Sequence, residues 1–464
     1  MLSLRRTSKK ILLTLLALAL VATAVIGTYA WSWQGVEKAS FEAKYDEDGF
    51  VFGVRYSQIG ATHNKGRSLA GNNILSDKEE CGFWLPSVEE DFFNMKAVGM
   101  DAAAINLFTL MEGVEYDEDG QIVGLDAAFI DNLNAVFDVA VKNDLKLAVV
   151  VQPALNELAS GVSGASKQLW DKYTQMYYSE TVREQYINIC IKPVLAALKD
   201  YEKSLLYIAI VSQPEKDIAE VQGSWGTTWD KMVAFVDDVN AVCKEVLPGV
   251  TTTVETEAAY LSKFNSVALG AAGADLYTDA GKADETAAAT SAFPMYLSRY
   301  GIKKGNSATE EFLVQKNRDL LNSSIEGGYM GAFFDEWISQ LTTRTVYVDG
   351  SLRRWATTMY FAAEAYRDDR TGNVDAKPVS MLYNHNNGNV QWIGSALAAT
   401  YTVERSSDDG ATWTAITEAL AADSLDNGYF LCTYKDNDRE DDVDYRYRVI
   451  MDDGFETATS DPTN

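Results

Sequence analysis

Cysteine is scarce in this chain. The four present, Cys81, Cys190, Cys243 and Cys432, are spaced too widely for a metal-ligand or redox motif and read as small buried hydrophobes. Histidine is scarcer, with only His63 and His385, and a lone histidine is more often a satisfied structural residue than a catalyst. Positive charge is short as well: 40 Lys and Arg stand against 67 Asp and Glu, for a formal net charge of −27. Nucleic acid and anionic membrane surfaces require clustered Lys and Arg, so neither is an expected partner and a neutral ligand suits the chain better. No residue pattern calls for a cofactor or a metal. The acidic run KDNDREDDVD (435–444) reads as solvated charge rather than as a Ca²⁺ loop.

Aromatic rings are plentiful, with 24 Tyr and 10 Trp. Flat amphipathic rings serve sugar recognition, because sugar C–H faces stack on them, and they serve aromatic cores equally well. A chain of 464 residues that is 47% hydrophobic can bury one large core and a smaller one, which predicts two domains.

The chain begins MLSLRRTSKKILLTLLALALVATAVIGTYAWSW. Arg5, Arg6, Lys9 and Lys10 precede an uncharged run from Ile11 to Trp33, the pattern of an export segment held positive side in. Thr28-Tyr29-Ala30 is a poor small-x-small cleavage site and the apolar run spans a bilayer at about 20 residues, which favours an uncleaved anchor. The expected location is therefore extracytoplasmic, membrane-anchored or secreted. Residues 1–34 form this segment and 35–48 a polar linker.

Beyond the linker, β-branched and aliphatic runs alternate with helical patterns. Eight strands are predicted: Val51–Tyr56, Ala102–Phe108, Leu145–Val151, Leu205–Val211, Val250–Glu255, Asp275–Thr278, Met295–Tyr300 and Gly331–Phe334. Between them lie stretches such as DAAFIDNLNAVFDVAVKNDL (126–145), where Phe129, Leu133, Val136, Phe137 and Ala140 recur at helical spacing and Asn143 is a candidate left-handed stop. Eight strand–helix alternations predict an α/β fold, a (β/α)₈ TIM barrel over residues 49–372, closed by a helix at 352–368. From about Pro378 to 464 strands alternate without helices, and turn dipeptides such as Asp409-Gly410 and Asp453-Gly454 predict a small all-β sandwich. It resembles a fibronectin type III domain, in which a strand like Tyr445–Val449 packs against a Trp such as Trp392.

A barrel carries its functional groups at the C-terminal ends of its strands. The ordered segments FGVRYSQIG (52–60), MKAVGMDAAAINLF (95–108), GLDAAFIDNLNAVFDVAVKNDLKLAVVV (124–151), SQP (212–214), YLSRYG (296–301) and GGYMGAFFDEW (327–337) resemble the clan A glycoside hydrolases, especially the family 5 mannanase- and cellulase-like barrels. The resemblance implies a general acid/base Glu at the end of strand four and a nucleophilic Glu at the end of strand seven. Retaining hydrolysis needs two such carboxylates. This chain has Gln213 and Arg299 at those positions. A Gln has no acidic proton to give and an Arg has no acceptor. Ala104 stands where the family places an Arg on strand two.

Glu215, Glu255 and Asp279 are the possible substitute acids, within a rim that also holds Glu257, Asp275, Asp335 and Glu336. For substrate binding the resemblance implies Trp337 as a sugar-stacking ring, with Phe108, Tyr277, Trp84, Trp225, Trp229 and His63 as loop residues able to line a cleft. Three readings follow. The first is a carbohydrate-binding protein on a catalytically degenerate glycoside-hydrolase barrel; the second an active hydrolase of β-linked polysaccharide with relocated carboxylates; the third a protein-interaction scaffold at the cell surface. The first is preferred, because drift at a single site would have left the other carboxylate in place.

Overall fold

The computed structural model of the protein describes residues 49–56, 85–97, 99–111, 113–155, 167–222, 226–277, 293–301, 316–338 (save 318, 322 and 326), 345–348, 351–352, 380–382, 388–393, 399–421, 431–440, 443–452 and 457–463. The export segment, the linker, Cys81 and the closing helix expected at 352–368 lie outside them, apart from Leu352 itself. Among the described residues no helix is long and apolar enough to cross a membrane.

Eight strands form a closed parallel barrel: Val51–Tyr56, Ala102–Asn106, Lys146–Pro153, Leu205–Ser212, Thr252–Glu257, Ala272–Tyr277, Met295–Gly301 and Gly331–Phe334, each paired with its sequence neighbours, the first also with the eighth. We number them one to eight. This is the TIM barrel expected from the alternation of strand and helix. Strand six begins three residues earlier than expected, at Ala272, because its first half, Ala272-Gly273-Ala274, is small and carries no β-branched signal.

Outward residues of the strands pack on the surrounding helices. In the helix Phe129–Lys142 the side chains of Phe129, Leu133, Val136, Phe137 and Ala140 are all buried, as the 3.6-residue spacing requires. The left-handed stop falls one residue later than expected: Asn143 has φ −96° and donates its side-chain N–H to the Val139 carbonyl at 2.9 Å, while Asp144 takes φ 51°.

Inward residues fill the barrel. Tyr207 of strand four lies 4.9 Å from Tyr296 of strand seven and 5.8 Å from Phe333 of strand eight, centroid to centroid. Strands four and seven are not neighbours, so these rings meet through the lumen and form a solid aromatic floor. Gly53 makes room for it, since a Cβ there would run into the Phe333 ring.

After the barrel the chain forms antiparallel sheets: Ser380–Leu382, Asn389–Ile393 and Leu431–Lys435 in one, and Thr400–Ser406, Arg446–Asp452 and Thr457–Thr459 with two short partners in another. Their shared core holds Val390, Trp392, Tyr401, Val403, Cys432, Tyr447, Val449 and Met451, a small all-β region. Asp436, from the acidic run, is buried and accepts hydrogen bonds from Arg405 (2.8 Å) and the Tyr447 hydroxyl (2.9 Å), so that residue is a structural ion rather than solvated charge.

Candidate functional site at the C-terminal end of the barrel

Strand four ends at Ser212, where the chain turns sharply. Gln213 adopts the left-handed conformation (φ 55°, ψ 45°), and Pro214–Asp217 form a 3₁₀ turn. The Gln213 backbone N–H donates to the Glu255 carbonyl on strand five at 2.7 Å, which pins the turn. Proline at the first turn position fixes φ and forfeits no needed donor. Glu215 therefore does not continue the strand outward. It folds into the protein, 3% exposed, and accepts a hydrogen bond from the Thr256 hydroxyl at 2.6 Å. Burial raises its pKa to about 7 against the lowering effect of that bond.

On strand seven the pairing with strand six slips at Ala274/Asp275, so that Asp275 pairs with Arg299 while the Ser298 hydroxyl also donates to Asp275, at 2.9 Å. The Arg299 guanidinium reaches across to strand four and donates from Nη1 to the Gln213 side-chain oxygen at 3.1 Å. Its Nε lies 3.5 Å from Asp335, at the end of strand eight. The same Gln213 oxygen accepts a second bond, 2.8 Å, from Lys216 Nζ. The side chains of Gln213 and Arg299, the two residues expected from the sequence at catalytic positions, are thus bonded to each other.

A second ion pair lies inside the barrel. Arg55 of strand one, 2% exposed, donates to Glu255 at 2.8 Å and to the Ser298 carbonyl at 3.1 Å. Glu255 is fully buried and also accepts from the Tyr207 hydroxyl at 3.2 Å. Ala104, where the resemblance led one to expect an Arg, has Arg55 as its register partner across the ladder. A guanidinium is therefore present at that level, supplied from the next strand. Glu255, expected as a substitute acid, is held by this pair away from solvent. Asp275 is buried, its pKa raised by burial against the lowering influence of Arg299, and its Oδ2 has no hydrogen-bond partner among the described residues.

The aromatic expectations change. Phe108 is fully buried, stacked on Phe129 at 5.1 Å and edge-on to Tyr186 at 5.4 Å, so it belongs to the sheet–helix core rather than to a cleft. Trp337 is also fully buried. Its Nε1–H donates at 2.8 Å to Asp91, whose other oxygen accepts from the Tyr56 hydroxyl at 2.8 Å. This ring ties strand one and the segment after strand eight to the helix Leu85–Ala97 and has no face to offer a sugar. Trp229 is 8% exposed and packs on Tyr260 at 5.2 Å. Trp84, Trp225, His63, His385 and Asp279 lie outside the described residues, and of Tyr277 only the backbone, at the end of strand six, is described.

Arg55, Lys216 and Asp91 are residues that sequence reasoning missed. A signal existed for Arg55: a cation alternating with apolar residues in VFGVRY must face the lumen and find an acid there.

No family model matches the sequence. No curated protein matches it either. Solved structures do resemble it: GH5_18 from Streptomyces cattleya in complex with GlcNAc superposes with TM-score 0.52 at 12% identity, covering 71% of this chain and 83% of that one. The barrel has the fold of the family 5 glycoside hydrolases. The β-1,4-D-mannanase from Cryptopygus antarcticus gives TM-score 0.50 at 15% identity over 70% of this chain and 92% of that one. A variant of the Streptomyces cattleya protein in complex with Manβ1-4GlcNAc gives 0.51 at 14% identity over 71% and 83%.

Proposed function

We propose that the chain is a polysaccharide-binding protein held outside the cytoplasm by its N-terminal segment, built on a glycosidase-like barrel that has lost its chemistry. The observation that carries the reading is the Arg299–Gln213 hydrogen bond, with Asp335 on the other side of the guanidinium. Where retaining hydrolysis needs a proton donor and a nucleophile, this barrel has an amide bonded to a cation. General acid–base help is worth roughly 10²–10⁴ in rate, so a barrel without either group has no useful turnover. Binding survives such losses because substrate contacts reside in loops above the strands. The C-terminal sheets, with Trp392, Tyr447 and Val449 in one core, fit a fibronectin type III-like module.

One observation favours the relocated-acid reading: Glu215, with its pKa raised to about 7, has the proton affinity suited to a general acid at neutral pH. Its 3% exposure argues against contact with a substrate. Incubating the full chain with β-linked mannan, glucan and xylan oligosaccharides separates the two. Binding without release of sugar above a heat-killed control is expected. Turnover that vanishes in Glu215→Gln overturns the proposal.

A further inference from the structure

The turn after strand four is tied down at both ends and seated in the middle by one ionisable group. At the near end the Gln213 N–H is pinned to strand five. At the far end Asp217 is buried and accepts from the Leu155 N–H at 3.1 Å and the Tyr177 hydroxyl at 3.4 Å, while its carbonyl accepts from the Thr227 N–H at 2.8 Å. Between these anchors Glu215 folds under the turn and is received by the Thr256 hydroxyl at 2.6 Å. Gln213 holds a left-handed conformation (φ 55°) that a side chain adopts only where its surroundings impose it. The pinned N–H and the seated Glu215, two residues on, impose it here.

The groups facing Glu215 favour a proton on it. On strand five, Thr256 is neutral, Glu257 is an exposed acid, and Glu255 is matched by Arg55. On strand six stands Asp275, a second buried acid, whose Oδ2 has no hydrogen-bond partner among the described residues. Arg299 of strand seven exerts its lowering influence on Asp275. On the turn itself, Lys216 reaches to the Gln213 oxygen and Asp217 is engaged by Leu155. The short helix Ala219–Gln222 adds another exposed acid, Glu220. A carboxylate in such a place is costly to bury, whereas a carboxylic acid that accepts one hydroxyl bond is not. Burial is the main cause that lifts the Glu215 pKa from 4.5 to about 7, and Asp275 and Glu257 add to it.

We propose that the strand-four turn is a proton-operated latch at the barrel mouth: with Glu215 neutral the turn is seated against Thr256, and with Glu215 ionised residues 213–216 swing away and carry the carboxylate to water. Ser212, at the end of strand four, and Asp217 stay in place, so the movement is confined to the stretch between them. Release lets Gln213 leave the left-handed region, which favours the open form. It also moves the Gln213 side-chain oxygen, which the seated turn places within reach of Arg299 and Lys216. In the open turn Glu215 ionises near its ordinary 4.5, so the seated form keeps its full advantage below that pH and loses it as pH rises to about 7. The latch does not depend on what the barrel binds.

The test is hydrogen–deuterium exchange of the full chain, read on peptides that separate residues 213–218 from strand residues 205–211 and corrected for the intrinsic pH dependence of exchange. Between about pH 4.5 and pH 8 the protection of the 213–218 amides should fall by about tenfold or more, while that of 205–211 holds. Glu215→Gln, whose side-chain oxygen still accepts from Thr256 and which cannot ionise, should keep the acid-form protection at both pH values. Glu215→Ala, which has nothing to seat, should show low protection at both. Protection of 213–218 that does not change with pH in the parent overturns the latch, and so does a parallel loss in 205–211, which is loosening of the whole barrel. A Glu215→Gln protein that still loses protection assigns the change to another group and overturns it too, as does full protection in Glu215→Ala.

Discussion

Replacing Asp91 by asparagine should flatten the dependence of stability on pH. The Asp91 carboxyl is buried between the Tyr56 hydroxyl and the Trp337 indole, and burial raises its pKa from 3.8 to about 7 against those two bonds. A group whose folded pKa lies above its unfolded value contributes stability that is complete below the unfolded pKa and is lost as pH rises through the folded one. At 1.36 kcal/mol per pKa unit, the Asp91 contribution lost between pH 4 and pH 8 is about 4 kcal/mol. At roughly 2 °C per kcal/mol for a chain of this size, Tm should fall by about 8 °C over that range from this residue alone. Glu215, raised from 4.5 to about 7, acts in the same direction. An asparagine has the shape of the protonated acid: its oxygen accepts from Trp337 and its N–H donates to the Tyr56 oxygen, which tolerates either role. Differential scanning fluorimetry of the full chain between pH 4 and pH 8.5 should show the Asp91→Asn protein level with the parent in acid and more stable than it above pH 7. An identical slope in the two proteins would refute the assignment of a neutral carboxyl to this site.

Trp337→Ala should lower Tm steeply, since losing a buried Trp costs about 3–5 kcal/mol and the orphaned Asp91 oxygen about 1–3 more; a fall of less than about 2 °C would return the ring to a ligand cleft. Arg55→Met leaves Glu255 buried without its cation, at a cost of about 3–5 kcal/mol in denaturant unfolding. Adding Glu255→Gln should recover a large part of that loss, and strict additivity of the two changes would show that the pair is not coupled.

The barrel was legible because its strands are short apolar runs at regular spacing, and every one of the eight expected strands overlaps an observed one. Strand six was misplaced only where Ala and Gly carry no propensity. The hairpin Val114–Tyr116 with Ile122–Leu125 went unseen because each arm is short and its turn sits in a polar run. At the site, the places of Gln213 and Arg299 at the ends of strands four and seven were readable. The pairings of Glu215 and Glu255 were not, since they depend on the left-handed turn at Gln213 and on Arg55 reaching across the lumen from strand one to strand five. Trp337 and Phe108 were assigned to a cleft by position, and burial assigned them to the core. Sequence spacing gives the strand end, but not which side of it the ring packs on.

The aromatic floor of Tyr207, Tyr296 and Phe333 also sets the ionic environment above it. Salt screens exposed charges over about 10 Å at 0.1 M but hardly reaches pairs walled off by protein. The Arg55–Glu255 pair, with side chains 2% and 0% exposed, sits beside that floor, where Tyr207 hydrogen-bonds the same carboxylate, and so keeps its attraction in brine and in fresh water alike. The pair Arg448–Glu404 in the C-terminal sheets is 30% and 15% exposed and feels the medium. At the location proposed for it, outside the cytoplasm and in a medium whose salt it does not control, the chain thus carries an internal charge frame that is indifferent to salt.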